Sequence, residues 1–175
     1  MEGLAGVVVE PGFGSGLNVP HYPDEVTHVY AVDPARYGWE LAGDRVAASS
    51  ATIDHVGFDG QSLPLESDSC DAGLLTFTLC SIPDADSALA ELRRVIRPGG
   101  ALHFVEHGSA PDERVRSWQR RIEPLQKQVA DGCHLTRDMP DLIVAAGFDM
   151  EWTDADYAKG PKPWSWFFVG RARNP

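Results

Sequence analysis

The residues with chemistry to offer begin almost at the amino terminus. Glu10 is followed by three alternating glycines, Gly12, Gly14 and Gly16, with Phe13 and Ser15 between them. A glycine run at the end of an apolar strand lets the backbone turn sharply and lie directly against a ligand. Asp33 follows about seventeen residues beyond Gly16, close to the distance at which a βαβ unit sets an acid beside a ribose. Asp59, Gly60 and Gln61 form a polar loop further on, and Thr78-Leu79 ends a later apolar run. Together these groups suit a nucleoside: glycine backbone against its tail, the Asp33 carboxylate accepting from ribose hydroxyls, and Asp59 available to a base amino group. A dinucleotide fingerprint asks for a glycine where this chain has Leu17, and no basic residue accompanies the turn. Glu10 suits a cationic amino-acid tail better than a diphosphate.

Two histidines have the chemistry of proton acceptors. His107 closes an apolar run and His134 precedes a helix signal, so both are candidate bases for a thiol or hydroxyl substrate. Cys80, Cys133 and Trp118 are candidates for an acceptor pocket, with small buried hydrophobe as the simpler role for the cysteines. Cys70, Cys80 and Cys133 are odd in number and not spaced as paired ligands. Neither a disulfide framework nor a metal site is expected, and a reducing, cytoplasmic setting fits.

These groups need strands that end at one crevice. Val7–Glu10 and His28–Asp33 have the continuous apolar style of strands covered on both faces. A short helix over Leu17–Tyr22 separates them. Arg45–Val56 reads as a helical tail and a third strand, and Cys70–Phe77 as a fourth. From Ala85, the residues Ala88, Leu89, Leu92, Val95 and Ile96 recur at helical spacing until Arg97-Pro98-Gly99-Gly100 stops the helix before a fifth strand, Ala101–Glu106. Val115, Trp118, Ile122, Leu125 and Val129 form a stripe on a long helix containing Pro124, read as core packing. A helix between Asp138 and Gly147, a strand over Phe148–Trp152 and another over Trp164–Ala172 complete the chain. The pattern predicts a Rossmann-like three-layer α/β fold, its seven-stranded sheet mostly parallel with a C-terminal antiparallel hairpin.

The 175 residues carry 15 Lys and Arg against 26 Asp and Glu, a net charge of −11. One domain, residues 1–175, accounts for this length. The charge opposes phosphate backbones and anionic membranes, so neither nucleic acid nor membrane is an expected partner. Arg114, Arg116, Arg120 and Arg121 are read as a solvated helix face.

Four segments in order, Glu10–Gly16, Ala31–Pro34, Asp59–Leu65 and Arg93–Gly100, resemble the class I S-adenosylmethionine-dependent methyltransferases of the type 11 group. Leu79–Ile82, Phe104–His107 and Asp131–Asp138 are similar to the methyltransferase-like alkyl-thiol S-methyltransferases within it. The resemblance implies S-adenosylmethionine as cofactor over the glycine turn, with Asp33, beside Pro34, on the ribose and Asp59-Gly60 at the adenine. It implies methyl transfer to a small thiol, hydroxyl or activated carbon. Against that resemblance the helical lid usual before the first strand is expected to be missing, Pro11 replaces an apolar residue, and Gln61 stands where an acid is common. An open crevice completed by a second copy, or a non-catalytic, partner-dependent domain that binds the cofactor weakly or not at all, is the alternative.

Overall fold

A computed structural model describes every residue of the chain except Phe58, Gly60 and Asp131. Strands β1 (Gly6–Pro11), β2 (Val26–Val32), β3 (Thr52–Gly57), β4 (Cys70–Thr76), β5 (Ile96–His107), β6 (Asp149–Tyr157) and β7 (Trp166–Arg173) form one sheet in the order β3-β2-β1-β4-β5-β7-β6. The first five run parallel, and β7 lies antiparallel between β5 and β6. Helices α1 (Arg36–Ala47), α2 (Ala85–Val95), α3 (Glu113–Val129), α4 (Met139–Ala145) and the single turn α5 (Lys162–Ser165) flank the sheet. The expected architecture is present. No helix among the described residues is long and apolar enough to cross a membrane.

Strand β1 is central because both its faces are apolar. Val8 and Val9 are each fully buried, yet they point to opposite sides, Val9 into the large core with Leu75, Leu89, Leu92 and Phe104 and Val8 into a smaller one with Leu4, Val29 and Leu74. Helix α2 covers the larger core. Its buried residues, Ala85, Ala88, Leu89, Leu92 and Val95, follow the helical repeat, and Asp84 caps it by accepting from the Ser87 N–H at 3.0 Å. Each buried Leu or Val contributes about 1.5–3 kcal/mol relative to exposure. The outer strand β6 is mostly exposed and carries Asp149, Glu151, Asp154 and Asp156, charges that discourage pairing with another sheet.

Four sequence expectations are corrected. Helix α1 begins at Arg36, well before the tail expected at Arg45; it buries only Ala42, so it leaves little apolar periodicity to read. Strand β5 starts at Ile96 and takes the Pro98-Gly99-Gly100 break inside it, because the register with β4 shifts there and Asn174 pairs with the glycines: its carbonyl accepts from Gly99 and its N–H donates to Gly100. Strand β6 runs on to Tyr157, beyond the expected Trp152, and β7 starts at Trp166 rather than Trp164 because the turn α5 stands between the two. The α3 stripe is not core. Val115 and the polar Gln119 are its buried residues, whereas Trp118, Leu125 and Val129 are exposed. Gln119 is buried because its amide fills backbone valences, accepting from the Ala110 N–H and donating to the carbonyls of Gly108 and Pro163.

Candidate active site

Strand order reverses between β1 and β4, and the crevice beyond their carboxyl ends is where an open α/β sheet binds ligands. A cleft of about 580 Å³ opens there, within the size range of small-molecule sites. On one side it is lined by Gly12, Asp33, Pro34, Asp59 and Gln61, and on the other by Phe77, Thr78, Ser81, Ile82, Pro83 and Gly132. None of these is basic.

The glycine side is held by backbone. Gly12 has φ +74°, and a Cβ there would sit 1.9 Å from Thr78 Oγ1 and 2.7 Å from Thr78 Cβ, so the turn and the end of β4 meet where no side chain fits. The N–H groups of Gly12 and Phe13 donate to the Val32 carbonyl. Asp33 fastens the same turn: one carboxylate oxygen accepts from the Gly14 N–H at 2.8 Å and the other from the Ala35 N–H at 2.7 Å. Each oxygen keeps a lone pair for a ligand hydroxyl. Gly38 lets α1 close against this turn, since a Cβ there would approach the Gly14 backbone to 3.0 Å.

Other expected residues stand behind the wall. Glu10 is buried, with its oxygens accepting from Asn18 Nδ2 at 2.9 Å and from the Tyr22 hydroxyl. Loss of hydration pushes its carboxyl up to about 7, and the hydrogen bonds from Tyr22 and Asn18 offset only part of that. Phe13 packs against Trp39, with ring centroids 5.7 Å apart, and Gly16 is buried behind it. The Ser15 carbonyl accepts from Arg45. Asp59 accepts from the backbone N–H of Gln61 at 2.8 Å, and Gln61 Oε1 in turn accepts from the Asp84 N–H, tying the polar loop to the start of α2. Gly60 lies outside the described residues.

The far side is built from distant segments. Leu79 is buried rather than facing the cleft, and the Thr78–Cys80 backbone is gripped by Glu106, whose carboxylate accepts N–H bonds from Thr78 (2.7 Å), Leu79 (2.8 Å) and Cys80 (3.2 Å). Burial raises the Glu106 carboxyl to about 6 against the lowering effect of those three donors. Arg137 secures the same loop by donating to the carbonyls of Leu79, Ile82 and Pro83. Neither Glu106 nor Arg137 was singled out from the sequence, although both lie inside the motif segments. Phe77 was also missed; it is exposed at the cleft with a left-handed backbone, φ +54°, rare for an aromatic residue.

Cys80, His107 and Cys133 come together at this end. Their ligand atoms all lie within 4.8 Å of one another, with His107 Nε2 2.7 Å from Cys133 Sγ. A hydrogen bond from Cys80, and then the His107 contact, hold the Cys133 thiol below the ordinary range despite its burial, while Cys80 is held above it. Ser81 and Gly132, the sequence neighbours of the two cysteines, line the cleft. His134 lies apart from that contact, 3.8 Å from Glu123, and burial together with Arg137 and Lys127 lowers its pKa. Trp118 is not at the cleft. It is half exposed beside a separate groove with Val115, Lys162 and Pro163, because its side of α3 faces outward.

A family model described as a methyltransferase domain matches residues 9–104, from β1 through most of β5. The chain belongs to that methyltransferase family. It is 33% identical over 171 residues to rat thiol S-methyltransferase TMT1B, covering 93% of this chain and 66% of the relative, and 31% identical over 180 residues to the human protein of that name, covering 97% and 71%. The chain thus spans about two thirds of the length of these relatives. Among solved structures, an S-adenosylmethionine-dependent methyltransferase from Mesorhizobium loti superimposes with a TM-score of 0.73 at 15% identity, covering 99% and 94% of the two chains. The [4+2]-cyclase SpnF does so with 0.79 at 18%, covering 98% and 77%. The latter pair share the fold alone, and fold does not choose a reaction.

S-adenosylmethionine is the cofactor of this family, and the cleft fits it. The Gly12 turn leaves bare backbone at the cleft, Asp33 and Asp59 bring carboxylate acceptors to its lining, and no described lining residue is a cation that would hold a pyrophosphate.

Proposed function

We propose that the methyltransferase passes the methyl group of S-adenosylmethionine to the sulfur of a small thiol. The observation that carries the reading is the make-up of the cleft, nucleoside-compatible at the Gly12–Asp33 end and adjoined at the other by sulfur and imidazole from Cys80, Cys133 and His107. The thiol S-methyltransferase relatives support the acceptor class.

In this reading Gly12, Gly14, Asp33, Pro34, Asp59 and Gln61 hold the cofactor, with Gly60 on the same loop. Bound S-adenosylmethionine supplies a sulfonium methyl already activated for displacement. What remains for the protein is alignment, exclusion of water and disposal of one thiol proton. Thr78, fixed through its N–H by Glu106, sets the floor between the two ends with the buried Leu79 packed beneath it, and Phe77, Ser81, Ile82 and Gly132 wall the acceptor. The acceptor sulfur is handled beside Cys80, His107 and Cys133, whereas His134 has a supporting place near Glu123. Glu10 acts from behind the turn, through Asn18 and Tyr22.

Residues 1–175 are read as one catalytic domain acting in the reducing cytoplasm, consistent with three free, buried cysteines. A second reading, a homodimer or partner completing the cleft, is favoured by the exposed Trp118, Leu125 and Val129 on α3, the helix that leads to Gly132. Light scattering tests it: a monomer that turns over at full rate removes it.

Calorimetric titration with S-adenosylhomocysteine, followed by a panel of thiols, phenols and amines read out as S-adenosylhomocysteine release, tests the main reading. Binding with turnover on thiols is expected. Binding with turnover confined to oxygen or nitrogen acceptors would overturn the thiol assignment and leave the family reading intact.

A further inference from the structure

Spacing in the chain argues against a metal site, but the fold brings three donor groups together. Cys80 comes from the loop after β4, His107 from the last residue of β5, and Cys133 from the segment after α3, yet their ligand atoms fall within 4.8 Å of one another. We propose that Cys80, His107 and Cys133 form a three-ligand site for a thiophilic divalent cation, zinc in the first instance, with its fourth position open to a sulfur ligand from the adjoining cleft.

The donor set selects the ion. Two thiolates and an imidazole favour zinc over magnesium or calcium, and Cys2His with one open position is a ligand set used where zinc binds an exogenous group. Bond lengths of about 2.3 Å to sulfur and about 2.0–2.1 Å to nitrogen separate tetrahedral ligand atoms by about 3.4–3.8 Å. The three groups therefore need shifts of about 1 Å or less, the His107–Cys133 contact opening from 2.7 Å and the remaining separations closing from at most 4.8 Å.

The surroundings hold the donors in place, as outer partners of a metal ligand do. The Cys80 N–H donates to Glu106 and its carbonyl accepts from the His134 N–H at 2.8 Å, while the Cys133 N–H donates to the Ala130 carbonyl. The nearby carboxylate is not a competing fourth ligand, because Glu106 is committed to three backbone donors. His134 is next in sequence to Cys133 but lies on the Glu123 side. Ser81 and Gly132 bring the cleft to the cluster.

The fourth ligand is where this inference rests on the thiol reading. A small thiol replaces a coordinated water, its sulfur bonding to zinc and its S–H proton leaving to solvent, with no change of oxidation state. Coordination deprotonates the thiol at neutral pH.

The test uses the full chain freed of metal by a chelator and titrated with Co2+, whose thiolate complexes absorb by charge transfer in the near ultraviolet. One equivalent is expected to give a saturating band that Zn2+ abolishes, and Cys80→Ser, Cys133→Ser and His107→Ala each to weaken Co2+ binding more than tenfold. No band from the folded wild type, or a band unchanged in both serine variants, would overturn the site. X-ray absorption of the zinc-loaded wild type needs no variant: two sulfurs and one imidazole nitrogen support it, and a shell of oxygen and nitrogen alone overturns it. Addition of 2-mercaptoethanol to the cobalt form should strengthen the band, and an unchanged spectrum removes the open position. S-adenosylhomocysteine binding, measured on the metal-free chain, separates the two claims. Metal binding without nucleoside binding breaks the methyl-transfer reading alone, and the converse breaks the metal site alone.

Discussion

The two ends of the cleft are built on opposite plans. The glycine end is made by chain neighbours: Gly12 and Gly14 follow β1 directly, Asp33 follows β2, and the parallel pairing of those strands sets their register. Its shape is backbone shape, and its left-handed positions, φ +74° at Gly12, +54° at Gly14 and +70° at Gly16, all fall on glycines, which adopt them without steric cost. The cysteine end is made by side chains from segments 26 to 53 residues apart, braced by the buried Glu106 and by Arg137. A rigid backbone cradle tolerates a change of chemistry around it, whereas a side-chain cluster tolerates neither a lost donor nor a lost brace.

The sharpest way to break this contrast is Gly12→Ala. The added Cβ meets Thr78 at its own Cβ as well as its hydroxyl, so rotating the threonine does not relieve it, and the positive φ penalises alanine further. We expect a stability loss of about 3 kcal/mol in urea unfolding and S-adenosylhomocysteine binding weakened by roughly a hundredfold, with cobalt binding at the cysteine end nearly unchanged. A loss of cobalt binding as large as that of nucleoside would mean that the two ends are one cooperative unit.

A second experiment asks whether Glu10 belongs to the cofactor or only to the fold. Burial lifts its carboxyl from 4.5 to about 7 in the folded chain. The native state therefore holds the proton more tightly than the unfolded chain, and between those values it binds more protons. Stability from this group is fully present below pH 4.5 and is lost as pH rises through 7, by up to about 3 kcal/mol. Denaturant midpoints across this range should fall with pH in the wild type and flatten in Glu10→Gln. If a cofactor cation also draws on Glu10, S-adenosylhomocysteine binding at pH 6 will release a proton, seen as a heat that depends on the buffer's ionisation enthalpy. A heat independent of buffer assigns Glu10 to the fold alone.

The same division explains what could be read from the sequence. The glycine turn, Asp33, the Asp59 loop and the succession of strands along the chain were legible because each is signalled within a few residues by glycine, acid and apolar run. The cysteine cluster was not, since nothing in the spacing of Cys80, His107 and Cys133 records that three loops converge. Glu106 and Trp118 show the two failures of pattern reading. Glu106 sits in an apolar strand as though exposed, yet it is the fully buried anchor of three backbone donors. Trp118 carries a helical apolar repeat that is the same whether its face meets a core or solvent, and here it meets solvent. Periodicity reports which residues share a face and is silent on what covers it.

The smallest expected effect is at Phe77, on the boundary between the two ends. Its left-handed backbone costs about 1–3 kcal/mol, and its edge contact with Phe167, ring centroids 5.3 Å apart, returns about 0.5–1.5 kcal/mol. Phe77→Gly removes both and adds glycine's entropic cost of about 0.5–1 kcal/mol, so the terms largely offset and stability should change by no more than about 2 kcal/mol. The ring nevertheless lines the cleft, and its loss should raise the KM for a hydrophobic thiol a fewfold while leaving S-adenosylhomocysteine affinity where it was. A change in nucleoside affinity instead would place Phe77 at the glycine end. If KM rises as expected, the acceptor accounts for an aromatic residue held in a conformation that glycine takes more easily.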